Sequence, residues 1–391
     1  MHVVRKDLMK MKLTKDVIDY IEASKEETLQ LLKDLCLIPA PSGMEEKRAE
    51  FCKKWFEDQG AEGVYIDEAL NVICPINCEG KNEITVFMAH TDTVFPDTEP
   101  MPYYIENGRA YCPGIGDDTA SLVVLMMAAK YIIKNKLCSK DGLLIVANSC
   151  EEGLGNLKGT KQLMADFEGR IKEVYTFDHG NFYEFVNKCV GSHRYKISFA
   201  TEGGHSFGKF GNTNAIAVMS ELICRLYKCQ VPHVGDSRTT YNVGIVGGGT
   251  SVNTIAQNAE MLYEYRSDTL ECLDYMNKFL DETVAQLQSE TDAKISVEII
   301  GKRPCAGDYD EAHLKAMFDK CAAIAGQYVD RECVGKSGST DCNIPMSLGI
   351  PALCIGVYVG GGSHTREEWI EIDSLPTGLK IATELLLGYV D

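Results

Sequence analysis

The chain has no apolar run long enough to cross a bilayer. Its longest apolar stretch in a helical pattern, Leu122 to Ala129, falls well short of the ~20 residues a spanning helix needs. No extended apolar segment follows the early charges at Arg5, Lys6 and Asp7, so no export signal is expected. There is no basic block either. The 39 Lys and Arg are scattered among 57 Asp and Glu, and a net charge of -18 argues against nucleic acid or an anionic membrane as partner. Repeats and low-complexity tracts are also missing. Cysteine is plentiful at sixteen, but zinc-type pairing is not: Cys74-x-x-x-Cys78 and Cys224-x4-Cys229 each lack a matching second pair. In a long chain with no export signal these cysteines read as reduced, mostly buried thiols of a cytoplasmic protein.

At 391 residues, 45% hydrophobic and 25% charged, the chain has the composition of a globular protein and room for two domains. Apolar periodicity predicts a helix over 15–37, and Ser42-x-x-Glu45 predicts a capping box for a second helix ending near Gly60. Strand-like runs follow at 63–66, 71–75 and 83–89. A helix is expected at about 119–135, a strand at 142–148, a helix near 157–167 and a strand at 173–177. Such alternation implies an α/β fold, a central sheet with helices on both faces. The middle reads differently, as strands at 193–200, 240–247, 258–266 and 293–299 with helices at 212–227 and 268–287. That pattern suits a smaller α+β domain inserted at 192–304 between two halves, 1–191 and 305–391, of the first. After Arg303-Pro304 the alternation resumes and ends in an amphipathic helix near 373–388.

Chemistry-bearing residues gather at the ends of the apolar runs, where α/β sheets build their sites. His90-Thr91-Asp92 ends the run Ile84–Ala89. If the segment is extended, His90 and Asp92 point to one face, a carboxylate beside an imidazole. The same motif fits a turn histidine with an aspartate cap, and alone it does not choose. Gly114-Ile115-Gly116-Asp117-Asp118-Thr119 opens a helix, with Asp118 suited to cap it and Asp117 left as the better ligand candidate. It lacks the G-K-[ST] ending of a phosphate loop. Glu151-Glu152 follows the buried run Leu143–Ala147, Asp178 follows Val174–Phe177, and His364 lies in a glycine-rich loop after Ala352–Val357. Bringing Asp92, Asp117, Glu151, Glu152 and Asp178 to one sheet edge without cations would be very costly. Two divalent cations would relieve it: Asp117, Glu152, Asp178 and one hydroxide set four negative charges against four positive. Imidazole plus carboxylate donors suit zinc, with manganese or cobalt as alternatives.

Taken in order, the motifs resemble the M20 family of metallopeptidases, with its peptidase T-like, carboxypeptidase G2-like and acyl-amino-acid deacylase branches. Ile38-Pro39-Ala40-Pro41-Ser42-Gly43 resembles its N-terminal element, His90-Thr91-Asp92 its H-x-D motif, and Gly338-Ser339-Thr340-Asp341-Cys342-Asn343 its late element. The resemblance implies that His90 and Asp178 bind one metal, that Glu152 and His364 bind the other, and that Asp117 bridges them through an aspartate pair joined by a cis peptide. It implies that Glu151 is the general base acting on a bridging water, with Asp92 supporting His90. The 192–304 segment would be a lid and dimerisation domain forming a homodimer. In it His205 would stabilise the oxyanion, and Asn253 and Arg266 would bind substrate, Arg266 as a carboxylate clamp. The implied activity is hydrolysis of amide bonds in small peptides. N-acyl-amino-acid deacylation is the alternative on the same site, and a non-catalytic metal-containing binding protein is a more distant one. Two positions depart from the family pattern: Thr119 stands where the family has Lys, and His205-Ser206-Phe207-Gly208 lacks the common Ser-Pro continuation.

Overall fold

The computed structural model describes residues 13–139 and 141–391, so the segment Arg5–Asp7 read for an export signal lies outside the described residues. The chain divides into two compact units. One is the chain up to Lys188 together with Asp308–Asp391, and the other is Cys189–Gly307.

The first unit is built on an eight-stranded mixed sheet. Its strands run in the order Tyr65–Ile66, Val72–Ile76, Gly142–Asn148, Ile84–His90, Ile171–Phe177, Ala352–Ile355, Glu184–Cys189 and Val334–Gly338. The four from Gly142–Asn148 to Ala352–Ile355 are parallel, and antiparallel partners flank them. Ile84–His90 and Gly142–Asn148 are buried at every position. This is why they read as continuous apolar runs rather than as alternating ones. The Ser121–Lys134 helix packs on both of these strands, and the Leu375–Leu387 helix packs on it. Because the four central strands are parallel, the residues just past His90, Asn148, Phe177 and Ile355 emerge at one edge. A small antiparallel sheet, in the order Gly360–Gly361, Trp369–Glu371, Arg109–Tyr111 and Tyr104–Glu106, ties the segment around His364 to the one leading into Asp117.

Three local expectations need correction. The single helix over 15–37 is two, Lys15–Ala23 and Lys25–Cys36. At the break Ser24 sends both its Oγ (2.7 Å) and its N–H (3.0 Å) to Tyr20 O, a side-chain competition that apolar periodicity does not register. The capping box fails as well: the Glu46–Asp58 helix has no side-chain cap. Asp118 is not at the helix cap, because the regular helix starts only at Ser121, with Ala120 at its cap, after an irregular turn over Ile115–Ala120 that contains a cis Asp117–Asp118 peptide.

The second unit is an antiparallel four-stranded sheet in the order Thr239–Gly248, Asn258–Ser267, Gly191–Ala200 and Lys294–Arg303. The helices Ala215–Leu226 and Leu270–Glu290 bury Leu222, Leu226, Met276 and Leu280 with Ile197, Phe199, Met261 and Tyr263 of the sheet. Alternation is visible along Asn258–Ser267, where Ala259, Met261, Tyr263 and Tyr265 point inward and Glu260, Leu262, Glu264 and Arg266 do not.

Candidate metal centre

The edge where the parallel strands end gathers the acids and imidazoles. Asp117 sits between two histidines. Its Oδ1 lies 3.1 Å from His90 Nε2 and its Oδ2 lies 3.1 Å from His364 Nε2. Potential ligand atoms of His90, Asp117 and Asp178 all fall within 4.8 Å of one another, and so do those of Asp117, Glu152 and His364. His90, Glu151 and Glu152 form a third such group. His90, Glu151 and Glu152 are buried, while the His364 side chain is 57% exposed. Glu152 Oε1 lies 3.2 Å from His364 Nε2, an ion pair without a well-aligned hydrogen bond.

The electrostatics show what the cluster wants. Burial, then the charges of Asp117 and Asp118, push the Asp178 carboxyl well above its ordinary range. Burial also lifts Asp118. The His364 imidazole is held up to about 10 by Asp117 and Glu152. Burial alone would lower His90, but Asp117, Asp118 and Asp92 outweigh it and raise it. Protons are thus drawn onto imidazoles and carboxylates to relieve an excess of negative charge. Divalent cations relieve the same excess while leaving the imidazoles neutral and the carboxylates ionised, the forms that ligate. The donor set, two imidazoles and three carboxylates in two overlapping groups that share Asp117, fits a pair of such ions.

Around this cluster, side chains remote in sequence hold the loops by their backbones. Asp92 is fully buried. Its Oδ1 accepts from Glu151 N (2.9 Å), and its Oδ2 accepts from Glu152 N (2.9 Å) and Ser42 Oγ (2.6 Å). His90 Nδ1 is closer to the Asp92 main-chain carbonyl, at 3.0 Å, than to its carboxylate, at 3.3 Å. Asp92 therefore meets His90 with its main-chain carbonyl as well as its carboxylate, and the carboxylate also clamps the Glu151–Glu152 turn. Glu45, instead of closing a capping box, accepts from Gly43 N and from Cys150 N at the head of the same turn. Asp118 accepts from His90 N at 3.0 Å. Arg48, buried, donates to the carbonyls of Leu35, Ile38 and Thr91 and to Thr119 Oγ1. Asp341 of the late motif accepts from Asn148 Nδ2 and Thr160 Oγ1.

Ser42 and Glu45 were visible as a motif with a different local meaning. Arg48 lies in the charged run Glu45-Glu46-Lys47-Arg48 and Glu368 in Arg366-Glu367-Glu368, stretches that look like solvated surface.

His205, Asn253 and Arg266 belong to the second unit. Gly204–His205 pairs with Thr254–Ile255, and Ser206 N donates to Asn253 O at 3.0 Å, so His205 and Asn253 share one exposed tip. Phe207 and Phe210 stand bare on that tip. The tip hangs from the Asn258 end of its strand, where Thr201 N bonds Gln257 O. Arg266 is toward the other end, roughly 27 Å away at ~3.4 Å per residue, and grips Glu264 with two hydrogen bonds of 3.0 and 3.1 Å.

A model of peptidase family M20/M25/M40 matches residues 86–388. The chain is 22% identical to succinyl-diaminopimelate desuccinylase of Corynebacterium glutamicum over 355 residues, covering 89% of this chain and 93% of that one. Its fold resembles a tripeptidase from Staphylococcus aureus, with a TM-score of 0.73, 22% identity, and 92% and 98% of the two chains covered. It also resembles the YxeP protein of Bacillus subtilis, described as a dinuclear metal-binding peptidase, with a TM-score of 0.64, 15% identity, and 94% and 99% covered.

Proposed function

Since the chain belongs to peptidase family M20/M25/M40 and is a metal-dependent peptide-bond hydrolase, we propose that His90, Asp117, Glu152, Asp178 and His364 hold two divalent cations and that Glu151 moves the proton. The observation that carries this reading is Asp117, with each carboxylate oxygen 3.1 Å from the Nε2 of a different histidine. His90 and Asp178 would hold one ion, Glu152 and His364 the other, and Asp117 both. Two such ions, when bound, supply Lewis acidity that polarises a carbonyl and acidifies water. Zinc is the proposed metal, with cobalt or manganese as substitutes.

The chain's own residues do the rest. The Glu151 carboxylate takes a proton from the attacking water and returns it to the leaving amine nitrogen. Its place is set by the Asp92 carboxylate, which holds the amides of Glu151 and Glu152. His205 donates to the oxyanion, Asn253 binds the substrate, and Arg266 turns from Glu264 to clamp a substrate carboxylate. The tip and the clamp are too far apart on one unit to grip one small substrate, which supports a homodimer that supplies them from different copies. The edge strand Thr239–Gly248 supports the same assembly, with Ile245 62% and Val246 55% exposed. Sixteen cysteines, most of them buried, support a reducing compartment, the cytoplasm. Among the described residues no helix is long and apolar enough to cross a membrane.

The substrate proposed is a small peptide. N-acyl amino acids are the second reading, favoured by the likeness to a desuccinylase. A panel of di- and tripeptides with free or blocked ends, run beside N-acyl amino acids with zinc, cobalt or manganese, tests both. Turnover of free peptides over acylated amino acids is expected; the reverse order selects the deacylase. Two bound ions with no turnover anywhere would favour a binding protein.

A further inference from the structure

Glu368 is 1% exposed, four residues past His364 and on the rim of the small sheet that joins the His364 segment to the Asp117 segment. It accepts three backbone amides of the turn that carries Asp117: Gly114 N at 2.6 Å on Oε2, and Gly116 N at 3.0 Å and Asp117 N at 2.7 Å on Oε1. Its main-chain carbonyl accepts Cys112 N at 3.2 Å, which anchors it from behind. The turn wraps the carboxylate so closely that a Cβ on Gly116 would lie 2.9 Å from Oε1. This is an anion nest whose anion is a side chain of the protein. The nest also joins the two segments that must agree in position if Asp117 is to reach His90 and His364 together.

We propose that Glu368 is the positioning residue that fixes the Asp117 carboxylate in its bridging orientation. This rests on the two-metal reading above. A side chain with two acceptor oxygens satisfies all three amides, one oxygen taking Gly116 N and Asp117 N and the other Gly114 N. Glutamine keeps one oxygen for Gly116 and Asp117 but turns its NH2 toward the Gly114 N–H. Alanine leaves three buried donors open, and the turn must move to find partners.

The test titrates Mn(II) into the metal-stripped full chain and reads stoichiometry by equilibrium dialysis and spin coupling by electron paramagnetic resonance. Wild type should take up two ions with a coupled signal. Glu368→Ala should bind the weaker ion about 10–100-fold less tightly, lose the coupled signal, and lose kcat more than KM at saturating metal. Glu368→Gln should fall between the two, and added formate should restore part of the coupled signal to the alanine variant. A folded Glu368→Ala chain with two coupled ions at wild-type affinity overturns the proposal. If the alanine variant does not fold, Glu368→Gln decides: weakened uptake of the second ion supports the proposal, and wild-type affinity overturns it. A wild-type chain that binds no coupled pair overturns the two-metal reading and this inference together, whereas a normal wild type with an unchanged variant overturns this inference alone.

Discussion

Replacing Asp92 with asparagine separates two tasks that its place beside His90 had merged. The carboxylate accepts Glu151 N and Glu152 N at 2.9 Å each and Ser42 Oγ at 2.6 Å. The His90 ring is held by the Asp92 main-chain carbonyl at 3.0 Å. Asparagine keeps the shape and the main-chain carbonyl, but in either orientation its NH2 faces one of the two turn amides. One buried donor left open costs about 1–3 kcal/mol, and the surviving bonds lose their charge assistance, for a total of about 2–4 kcal/mol. The Glu151–Glu152 turn then shifts, and a displacement near 1 Å costs on the order of 10²-fold in rate. Asp92→Asn should therefore unfold at lower urea, still take up two ions per chain in excess metal, and lose about 10–10²-fold in kcat. The measurements are urea titration by circular dichroism, metal content after desalting, and steady-state kinetics on the best peptide of the panel. A folded variant that loses an ion would show that the carboxylate, and not the backbone, fixes His90. Unchanged stability and rate would show that the turn is not held by Asp92 at all.

Glu151→Ala should keep both ions and lose about 10²–10⁴-fold in rate, and full turnover in the purified variant would remove it as the base. Arg48→Met should lower stability by about 3–5 kcal/mol in urea, because it strands the carbonyls of Leu35, Ile38 and Thr91; a loss under 1 kcal/mol would mean that water replaces the guanidinium. His193 is 6% exposed and pushed down to about 4, by burial first and then by Lys302, with Asp274 opposing. Its folded value lies below its unfolded one, so its stabilisation is present above about pH 6.5 and is lost as pH falls toward 4, by roughly 3 kcal/mol at most. His193→Gln should flatten that part of the stability–pH curve, and a curve parallel to wild type would refute it. Ile245→Lys with Val246→Lys should convert the proposed dimer to a monomer in light scattering; an unchanged mass would place the interface elsewhere.

The strands were legible because burial on both sides writes itself as continuous apolar sequence, as in Ile84–His90. Asp92, Glu151, Glu152 and Asp178 were legible because each lies just past such a strand, whereas Asp117 stood out by its place in a glycine turn that opens a helix. What was hidden is whatever a side chain does with a distant partner. Asp118 had every local property of a helix cap, yet its carboxylate serves His90 N, 28 residues away. Ser42 and Glu45 matched a capping box, and their true partners are Asp92 and Cys150. Glu368 and Arg48 looked like solvated charge because neither hydropathy nor spacing records that the backbone folds over them. Local sequence fixes which conformations a segment prefers, whereas these contacts depend on which segments meet.

The choice of partners around the centre follows a single logic. Carboxylates that hold backbone amides, such as Asp92 and Glu368, fix whole turns because each accepts three donors. They also add negative charge to a place already rich in it. A lysine or arginine could cancel that charge permanently. The ion-pair partners of Asp117 and Glu152 are imidazoles instead, and the buried Arg48 is spent on neutral carbonyls and a hydroxyl behind the His90–Asp92 turn. An imidazole gives up its proton when a cation arrives and becomes a neutral ligand, so the negative field stays available to the incoming ions. The supporting carboxylates thus contribute twice to the proposed centre, once by fixing where its candidate ligands stand and once by adding negative charge that favours divalent cations there.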